Sequence, residues 1–442
     1  MLHCTTTDES WLAQMYRAIN RGRGPFLATL SDYLDKLRVV LRASEASESH
    51  QCAFRTTAKD VTGDSTDIND SMAVLAVTTH RPEEVLNSVM GDDGGTAVVT
   101  IDGEKGTIGR GFDAIREVRR SILSHDPDVV ILDCHELLGF LTTVLCILYG
   151  VQVFPRLVGD TWRIFGEEGV RKAHREHDYG RLLNYALSLL INRFTFSQAA
   201  GFIVVSEDLK QVTHRKTGCP MDRIAVVPVP LTMDTAQTGQ AADARRSLDI
   251  KERQVILTVT NLAFEGKYEG VRQTVDEIRS LLEAHPDLAY VVAGDGEYHT
   301  DLQTYVCETI DDPDVRRRIY TPGFVDDVSD LYDLADIFVY ISYLDGYPNA
   351  VLEAQTAGLP VVSNGQYGMC EQIDHDETGL LVDSSQAGAI RAAVERLYAE
   401  PADRDRLGQN ARETVLERND PKAVARRLRA SLTAIADGSS EG

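Results

Sequence analysis

Residues 337–373 read IFVYISYLDGYPNAVLEAQTAGLPVVSNGQYGMCEQI, and this stretch decides the fold. Its first five residues, Ile337–Ile341, are a continuous apolar run, which predicts a buried strand. A loop over Ser342–Pro348 leads into a helix that begins near Asn349 and ends at Gly358, because Gly favours the turn after a helix. Another apolar run follows. This order of elements predicts a parallel α/β unit.

The same alternation of short apolar runs and helical stretches continues on both sides. Continuous apolar runs are typical of parallel sheets that are covered on both faces. The predicted strands are Ala73–Thr78, Ala97–Ile101, Val129–Leu132, Val151–Phe154, Phe202–Val205, Ile224–Val227, Val255–Thr260, Ala289–Ala293, Arg318–Thr321, Ile337–Ile341, Pro360–Ser363 and Leu380–Val382. They predict an α/β protein with two doubly wound Rossmann-like domains facing each other across a cleft.

Changes in composition give the predicted domain limits. Residues 1–70 combine a helical pattern with a polar stretch and are predicted to be a helical, partly irregular extension. We predict a first domain over 71–230, a polar linker over 231–254, a second domain over 255–420, and a C-terminal helix and tail over 421–442. In such pairs of domains, ligands bind at the carboxyl ends of the strands.

The charge balance excludes some functions and suggests a habitat. The 442 residues include 68 acidic and 45 basic ones, for a net charge of -23. This charge argues against nucleic-acid binding, which needs basic residues to neutralise phosphates. Only nine of the basic residues are Lys. Such a composition resembles that of salt-loving archaea, in which salt screens the repulsion between carboxylates. The alternative is an ordinary acidic cytoplasmic protein.

The sequence contains no strong motif for a cofactor or for insertion into a membrane. The seven Cys form no CxxC pair, which indicates neither a zinc site nor a disulfide framework. We expect no cofactor and no required metal ion. Asp8 and Glu9 stand where a signal peptide would be apolar, which predicts a cytoplasmic protein. The apolar stripe in Arg181–Phe196 favours packing on the sheet over membrane contact, so we expect peripheral membrane contact at most.

Two carboxylates flank the predicted start of the helix after Ile337–Ile341. The backbone N–H groups of Tyr347–Val351 suit a phosphate, because the first N–H groups of a helix have no partner within it. Glu353 lies about one turn further, where it can accept hydrogen bonds from the vicinal hydroxyls of a ribose. The alternatives are a solvated Glu353 and an Asp345 that only complements the helix dipole.

The segment DGYPNAVLEAQTAGLPVV over 345–362 resembles the signature of the family 4 retaining glycosyltransferases, which have the GT-B fold. The resemblance implies that Glu353 binds the donor ribose. It places Asp345, in the position of the family's first Glu, beside the transferred sugar as a catalytic residue. It also assigns sugar and diphosphate contacts to the turn formed by Gly346, Tyr347, Pro348, Asn349, Ala350, Val351 and Leu352.

Three further segments resemble the family's donor site. In VTNLAFEGKYEG, over 259–270, Lys267 matches a catalytic Lys that clamps the diphosphate, whereas Asn261 stands in the position of a clamping Arg. The alternative for Lys267 is a surface lysine. Gly294, in VVAGDGEY, matches a turn that closes the nucleotide pocket, although a plain tight turn is its main expected role. The backbone of Phe324 and Val325 matches the loop that binds the base.

The resemblance is weaker in the first half. His135, at the end of a predicted strand, and Gly159 and Asp160, in VQVFPRLVGDTW, are candidate acceptor-side residues. His135 is at least as well explained as a structural histidine. Val158 stands where the family commonly has a His.

The resemblance implies transfer of a sugar from a UDP- or GDP-linked donor to a glycan or lipid-linked acceptor. The donor β-phosphate would be both leaving group and base. Asp345, Asn261 and Val158 depart from the family pattern, so a non-catalytic nucleotide-sugar-binding subunit is the alternative. A GT-B epimerase or phosphorylase is a third, weaker interpretation.

Overall fold

The structure is a computed structural model of the chain, and it describes residues 72–79, 96–101, 108–134, 136–232, 241–436 and 438. The predicted extension over 1–70 and His135 lie outside these residues. Residues 71–442 form one compact unit. All twelve predicted strands are present, with ends shifted by a few residues at most.

The first sheet has six parallel strands. They are β1 (Val74–Thr78), β2 (Thr96–Thr100), β3 (Val129–Asp133), β4 (Gln152–Leu157), β5 (Phe202–Val204) and β6 (Ile224–Val226). Their order is β2-β1-β3-β4-β5-β6, so the strand order reverses between β1 and β3. Strands β1 and β3 are apolar and buried along most of their length, as expected for a sheet that is covered on both faces.

The second sheet is also six-stranded and parallel. It contains β7 (Gln254–Val259), β8 (Leu288–Ala293), β9 (Ile319–Gly323), β10 (Ile337–Tyr340), β11 (Val361–Ser363) and β12 (Gly379–Leu381). The order is β12-β11-β10-β7-β8-β9, and the reversal falls between β7 and β10. Ligands of doubly wound sheets bind at such a reversal. The helix Glu265–Ala284, which follows β7, carries Lys267, and the loop after β10 carries Asp345.

Helices connect the strands of both sheets. They are Ile108–His125, Glu136–Tyr149, the π-helix Trp162–Gly169, Val170–Arg175, Tyr179–Ser197, Glu207–Thr217, the 3-10 helix Met221–Arg223, Ala241–Ser247, Glu265–Ala284, His299–Thr309, Pro313–Arg316, Ser329–Leu334, Asn349–Thr356, Met369–Gln372, Ala389–Ala399, Pro401–Arg418 and Pro421–Ala436. No helix of the described residues is long and apolar enough to cross a bilayer.

The ends of the two predicted domains show how the halves are joined. Residues 241–247, within the predicted linker, form a helix whose Ala244 packs in the core of the second sheet. The C-terminal helix Pro421–Ala436 instead packs Val424, Leu428 and Leu432 against the first sheet. The predicted limits at 230, 254 and 420 stay predictions.

One apolar cluster contains residues of both halves. Tyr347 and Leu352, from the turn after β10 and the helix that follows it, pack with Leu157, Phe202 and Val204 of the first sheet. Burial of such side chains stabilises the protein by about 1.5–3 kcal/mol each. The start of the helix Asn349–Thr356 is therefore held against the first half of the molecule.

Candidate active site

Lys267 and Asp345 form an ion pair at the reversal of the second sheet. The Lys267 Nζ atom lies 2.9 Å from Asp345 Oδ1, and the two side chains are only 14% and 16% exposed. They meet because β7 and β10 are parallel neighbours, so the helix that follows β7 and the loop that follows β10 begin at the same edge of the sheet. The sequence assigned each residue separately to the donor, whereas the structure pairs them with each other.

Two hydroxyl groups hold the other oxygen of the Asp345 carboxylate. Tyr340 Oη donates to Asp345 Oδ2 at 2.8 Å, and Ser342 Oγ donates to the same atom at 2.7 Å. Both carboxylate oxygens are thus occupied, which explains Asp345 better than a simple dipole charge at the helix start. Hydrogen bonds to an ionised carboxylate are stronger than neutral ones, so the side chain is firmly oriented.

The helix Asn349–Thr356 begins after Pro348 without a side-chain cap. The prediction of unpartnered N–H groups over Tyr347–Val351 is wrong at two positions. Pro348 has no N–H group, and the Val351 N–H donates to the Pro348 carbonyl oxygen at 3.2 Å. Because the side chains of Tyr347, Val351 and Leu352 are buried, a ligand at this turn would contact their backbone.

Glu353 is half-buried and has a specific partner. Tyr332 Oη donates to Glu353 Oε2 at 2.8 Å, and Tyr332 is only 1% exposed. Burial and the neighbouring Glu353 raise the pKa of Tyr332 well above its ordinary value, so this phenol stays a hydrogen-bond donor. Glu353 also lines a pocket together with Pro230, Leu231, Thr232, Asn349, Leu352 and Thr356. A merely solvated glutamate does not fit this environment.

The loops at the carboxyl ends of β7, β8 and β9 lie close together at Gly294. Gly294 has a φ of +136°, and a Cβ atom there would lie 1.7 Å from the Thr260 carbonyl oxygen, so only glycine fits. This agrees with the tight-turn interpretation. The Gly294 N–H donates to the Gly323 carbonyl oxygen at 2.8 Å. Phe324, the next residue, is 72% exposed, whereas Val325 packs on the core of the second sheet.

Asn261 does not replace the charge of an arginine. Its Oδ1 atom accepts a hydrogen bond from the Ala263 N–H at 2.8 Å, which closes a local turn. Among the described residues, no group of three or more His, Cys, Asp or Glu side chains is placed to hold a metal ion.

The first half of the molecule contributes the loop after β4. A Cβ atom on Gly346 would lie 3.3 Å from the Val158 carbonyl oxygen and 3.5 Å from the Gly159 Cα atom, so the two halves touch at the predicted donor turn. Asp160 Oδ1 accepts a hydrogen bond from the Arg163 N–H at 2.9 Å and so supports the start of the π-helix.

Sequence reasoning missed three partners of the two carboxylates. The sequence pattern assigns Tyr340 only to the strand Ile337–Ile341 and gives Tyr332 no role, because an apolar pattern does not show where a phenol group points. Ser342 gave a detectable signal, since a Ser three residues before an Asp can close a local turn. The Ser342 Oγ atom also accepts from the Leu344 N–H at 3.3 Å.

A family model matches part of the second half of the chain. Residues 240–414 match the family described as Glycosyl transferases group 1, so this region is similar to that family. The matched region contains Lys267, Asp345 and Glu353, so the candidate site lies within it.

The individual relatives of the chain are distant. The chain is 25% identical over 224 residues to alpha-D-kanosaminyltransferase of Streptomyces kanamyceticus, which covers 50% of this chain and 56% of the relative. It is 28% identical over 254 residues to D-inositol 3-phosphate glycosyltransferase of Pseudarthrobacter chlorophenolicus, covering 55% and 56%. The chain thus spans about half the length of these curated relatives.

Solved structures confirm the GT-B fold. The crystal structure of HepE from Anabaena, in complex with UDP and glucose, is similar with a TM-score of 0.60 and 16% identity. The match covers 82% of this chain and 100% of HepE.

Proposed function

We propose that the protein is a retaining hexosyltransferase that moves a sugar from a UDP-linked donor to a hydroxyl group of a glycan or lipid-linked acceptor. One observation carries the proposal. Lys267, the turn at Gly346 and Glu353 follow the two strands at the reversal of the second sheet, within the region that matches the group 1 glycosyltransferases. The two curated relatives transfer sugars according to their names, and HepE was crystallised with UDP and glucose, which supports UDP as the nucleotide.

In this proposal, each residue of the site has a role that fits its chemistry. Glu353 accepts hydrogen bonds from the ribose hydroxyls, and its contact with Tyr332 keeps it in place. Lys267 and the first N–H groups of the helix Asn349–Thr356 stabilise the negative charge that develops on the diphosphate as the sugar leaves. A β-phosphate oxygen takes the proton of the acceptor hydroxyl, so the new bond forms on the face from which the diphosphate departs.

The acceptor belongs to the first half in this proposal. The reversal of the first sheet lies between β1 and β3, and the loop with Gly159 and Asp160 reaches the donor turn. His135 follows β3 and stays an acceptor-side candidate. We further propose that the protein works in the cytoplasm, with peripheral membrane contact at most, and that transfer requires no metal ion.

A donor screen tests the proposal. The protein is incubated with UDP- and GDP-sugars, with and without EDTA, while nucleotide binding and nucleotide release are measured and the anomeric configuration of the product is read by NMR. We expect UDP binding, UDP release that EDTA does not abolish, and a product with the configuration of the donor. Binding without turnover or hydrolysis would instead identify the non-catalytic subunit. An inverted product would contradict a retaining enzyme.

A further inference from the structure

We infer that Arg163, a residue of the first half, binds the donor diphosphate as a second cation and that Tyr367, from the second half, positions it. This inference rests on the proposed function and adds two residues to the same site. It follows from the placement of the segment that carries Arg163, from the contacts of its side chain and from the unusual backbone of Tyr367.

The segment after β4 contacts the second half at two points. Its beginning, Val158 and Gly159, packs against Gly346 at the donor turn. Further on, Arg175 Nη1 donates to Glu265 Oε1 at 2.9 Å, at the start of the helix Glu265–Ala284 that carries Lys267. The segment therefore spans from the donor turn to the helix of the catalytic lysine.

The Arg163 guanidinium is held from two sides. Its Cζ atom lies 5.2 Å from the centre of the Tyr367 ring, and its Nε atom donates to Glu168 Oε1 at 3.2 Å. Tyr367 Oη in turn donates to the Tyr343 carbonyl oxygen at 3.3 Å, two residues before Asp345. The Arg163 side chain is 27% exposed, so it is oriented yet accessible to a ligand.

Tyr367 adopts a backbone conformation that favours glycine. Its φ is +55°, in the left-handed region that bulky residues rarely occupy. The next residue is fixed as well, because a Cβ atom on Gly368 would lie 1.8 Å from the Gly346 carbonyl oxygen. Strain of this kind persists where the surroundings enforce it, and it is concentrated at ligand sites. Here it directs an aromatic ring beneath a cation of the other half.

Bound diphosphate would give the site an excess of negative charge, which a second cation would offset. Lys267 is paired with Asp345, Glu353 adds a further carboxylate, and Asn261 is neutral. A diphosphate adds more negative charge. The forked guanidinium of arginine binds phosphate oxygens in pairs, which a lysine does not do. Arg163 shares its charge with Glu168 through Nε, and in our proposal the other nitrogens of its guanidinium bind the diphosphate from across the interface.

Calorimetric titration with UDP and with uridine tests the inference. Arg163→Gln should weaken UDP binding by about tenfold or more, the loss expected for one charge-assisted hydrogen bond, and change uridine binding by less than about twofold. Arg181→Gln, at an exposed arginine of the same half that pairs with Glu176, is the matched control and should bind both ligands like the wild type.

Tyr367 is tested by two substitutions. Tyr367→Phe keeps the ring and should keep UDP affinity. Tyr367→Gly removes both ring and strain and should lose affinity for UDP but not for uridine, while thermal melting shows that the variant is folded. A merely structural tyrosine would affect both ligands alike.

The outcomes separate the inference from the proposed function. If Arg163→Gln binds UDP like the wild type while Glu353→Gln does not, the inference is overturned and the proposed donor site stands. A wild-type protein that binds neither UDP nor GDP would overturn both.

Discussion

Replacing Glu353 by Gln should abolish most donor affinity without unfolding the protein. In the proposed site this carboxylate binds two ribose hydroxyls. The loss of two charge-assisted hydrogen bonds, at about 1.5–3 kcal/mol each, amounts to about 3–6 kcal/mol, or a factor of at least about 100 in the dissociation constant. Gln tests the ribose contact more specifically than Ala does, because its amide oxygen can still accept the hydrogen bond from Tyr332. Glu353→Ala would remove that hydrogen bond and leave Tyr332 Oη with only its longer one to the Ala350 carbonyl oxygen, at 3.3 Å, so it would perturb the fold as well as the donor contact.

The assay is calorimetric titration with UDP and with 2′,3′-dideoxy-UDP. The substitution should weaken binding of UDP but leave binding of the dideoxy compound unchanged, since that compound lacks the hydroxyls that Glu353 would hold. Tyr332→Phe serves as the companion variant, because it removes the support of the carboxylate and keeps the carboxylate itself. Equal UDP affinities of Glu353→Gln and the wild type would refute the assignment. A parallel loss for both ligands would place Glu353 elsewhere in the pocket.

Three further outcomes are expected. Lys267→Ala should lower turnover by a factor of about 10²–10³, which is the usual effect of removing one group that stabilises transition-state charge. The control Lys251→Ala, at an exposed lysine, should leave turnover unchanged. Activity of Lys267→Ala within a few-fold of the wild type would show that another cation stabilises the diphosphate. The excess of acidic residues predicts loss of circular-dichroism signal when salt is lowered below about molar concentration, where carboxylate repulsion is less screened, and full stability at low ionic strength would contradict this. Fractionation should release the protein from membranes with a high-salt wash although Leu183 and Leu187 are exposed, and a need for detergent would contradict peripheral contact.

The sequence predicted the strands well because their cause is local. A continuous apolar run such as Val129–Leu132 can be buried on both faces only in a covered parallel sheet. The helix Tyr179–Ser197 shows where this reasoning ends. Its apolar stripe was expected to pack on the sheet, yet its buried residues are Ser188, Asn192, Thr195 and Phe196. Residues 136–149 form the neighbouring helix, which packs along this one. Ser188 Oγ donates to Glu136 Oε1 and the Glu136 N–H donates to Asn192 Oδ1, both at 3.0 Å, so polar side chains take part in this contact, which periodicity alone does not reveal.

The candidate site was predictable only in part, for a different reason. A motif gives the positions of Lys267, Asp345 and Glu353, but not which of them contact each other. The ion pair between Lys267 and Asp345 depends on the order of β7 and β10 in the sheet, and strand order is a property of the whole chain. The contact between Arg163 and Tyr367 depends in addition on how the two halves meet.

The departures from the family pattern are physically connected. Aspartate is one methylene shorter than glutamate, and Tyr340 and Ser342 hold the Asp345 carboxylate close to its own loop, within reach of Lys267. Lys267 therefore divides its charge between this carboxylate and any bound phosphate. Because Asn261 adds no charge, we expect a cation of the first half, Arg163 in our proposal, to help balance the diphosphate. A donor site completed by Arg163 binds the donor tightly only while the two halves are in contact. If Arg163 supplies the missing positive charge, donor affinity therefore depends on the interface between the two halves.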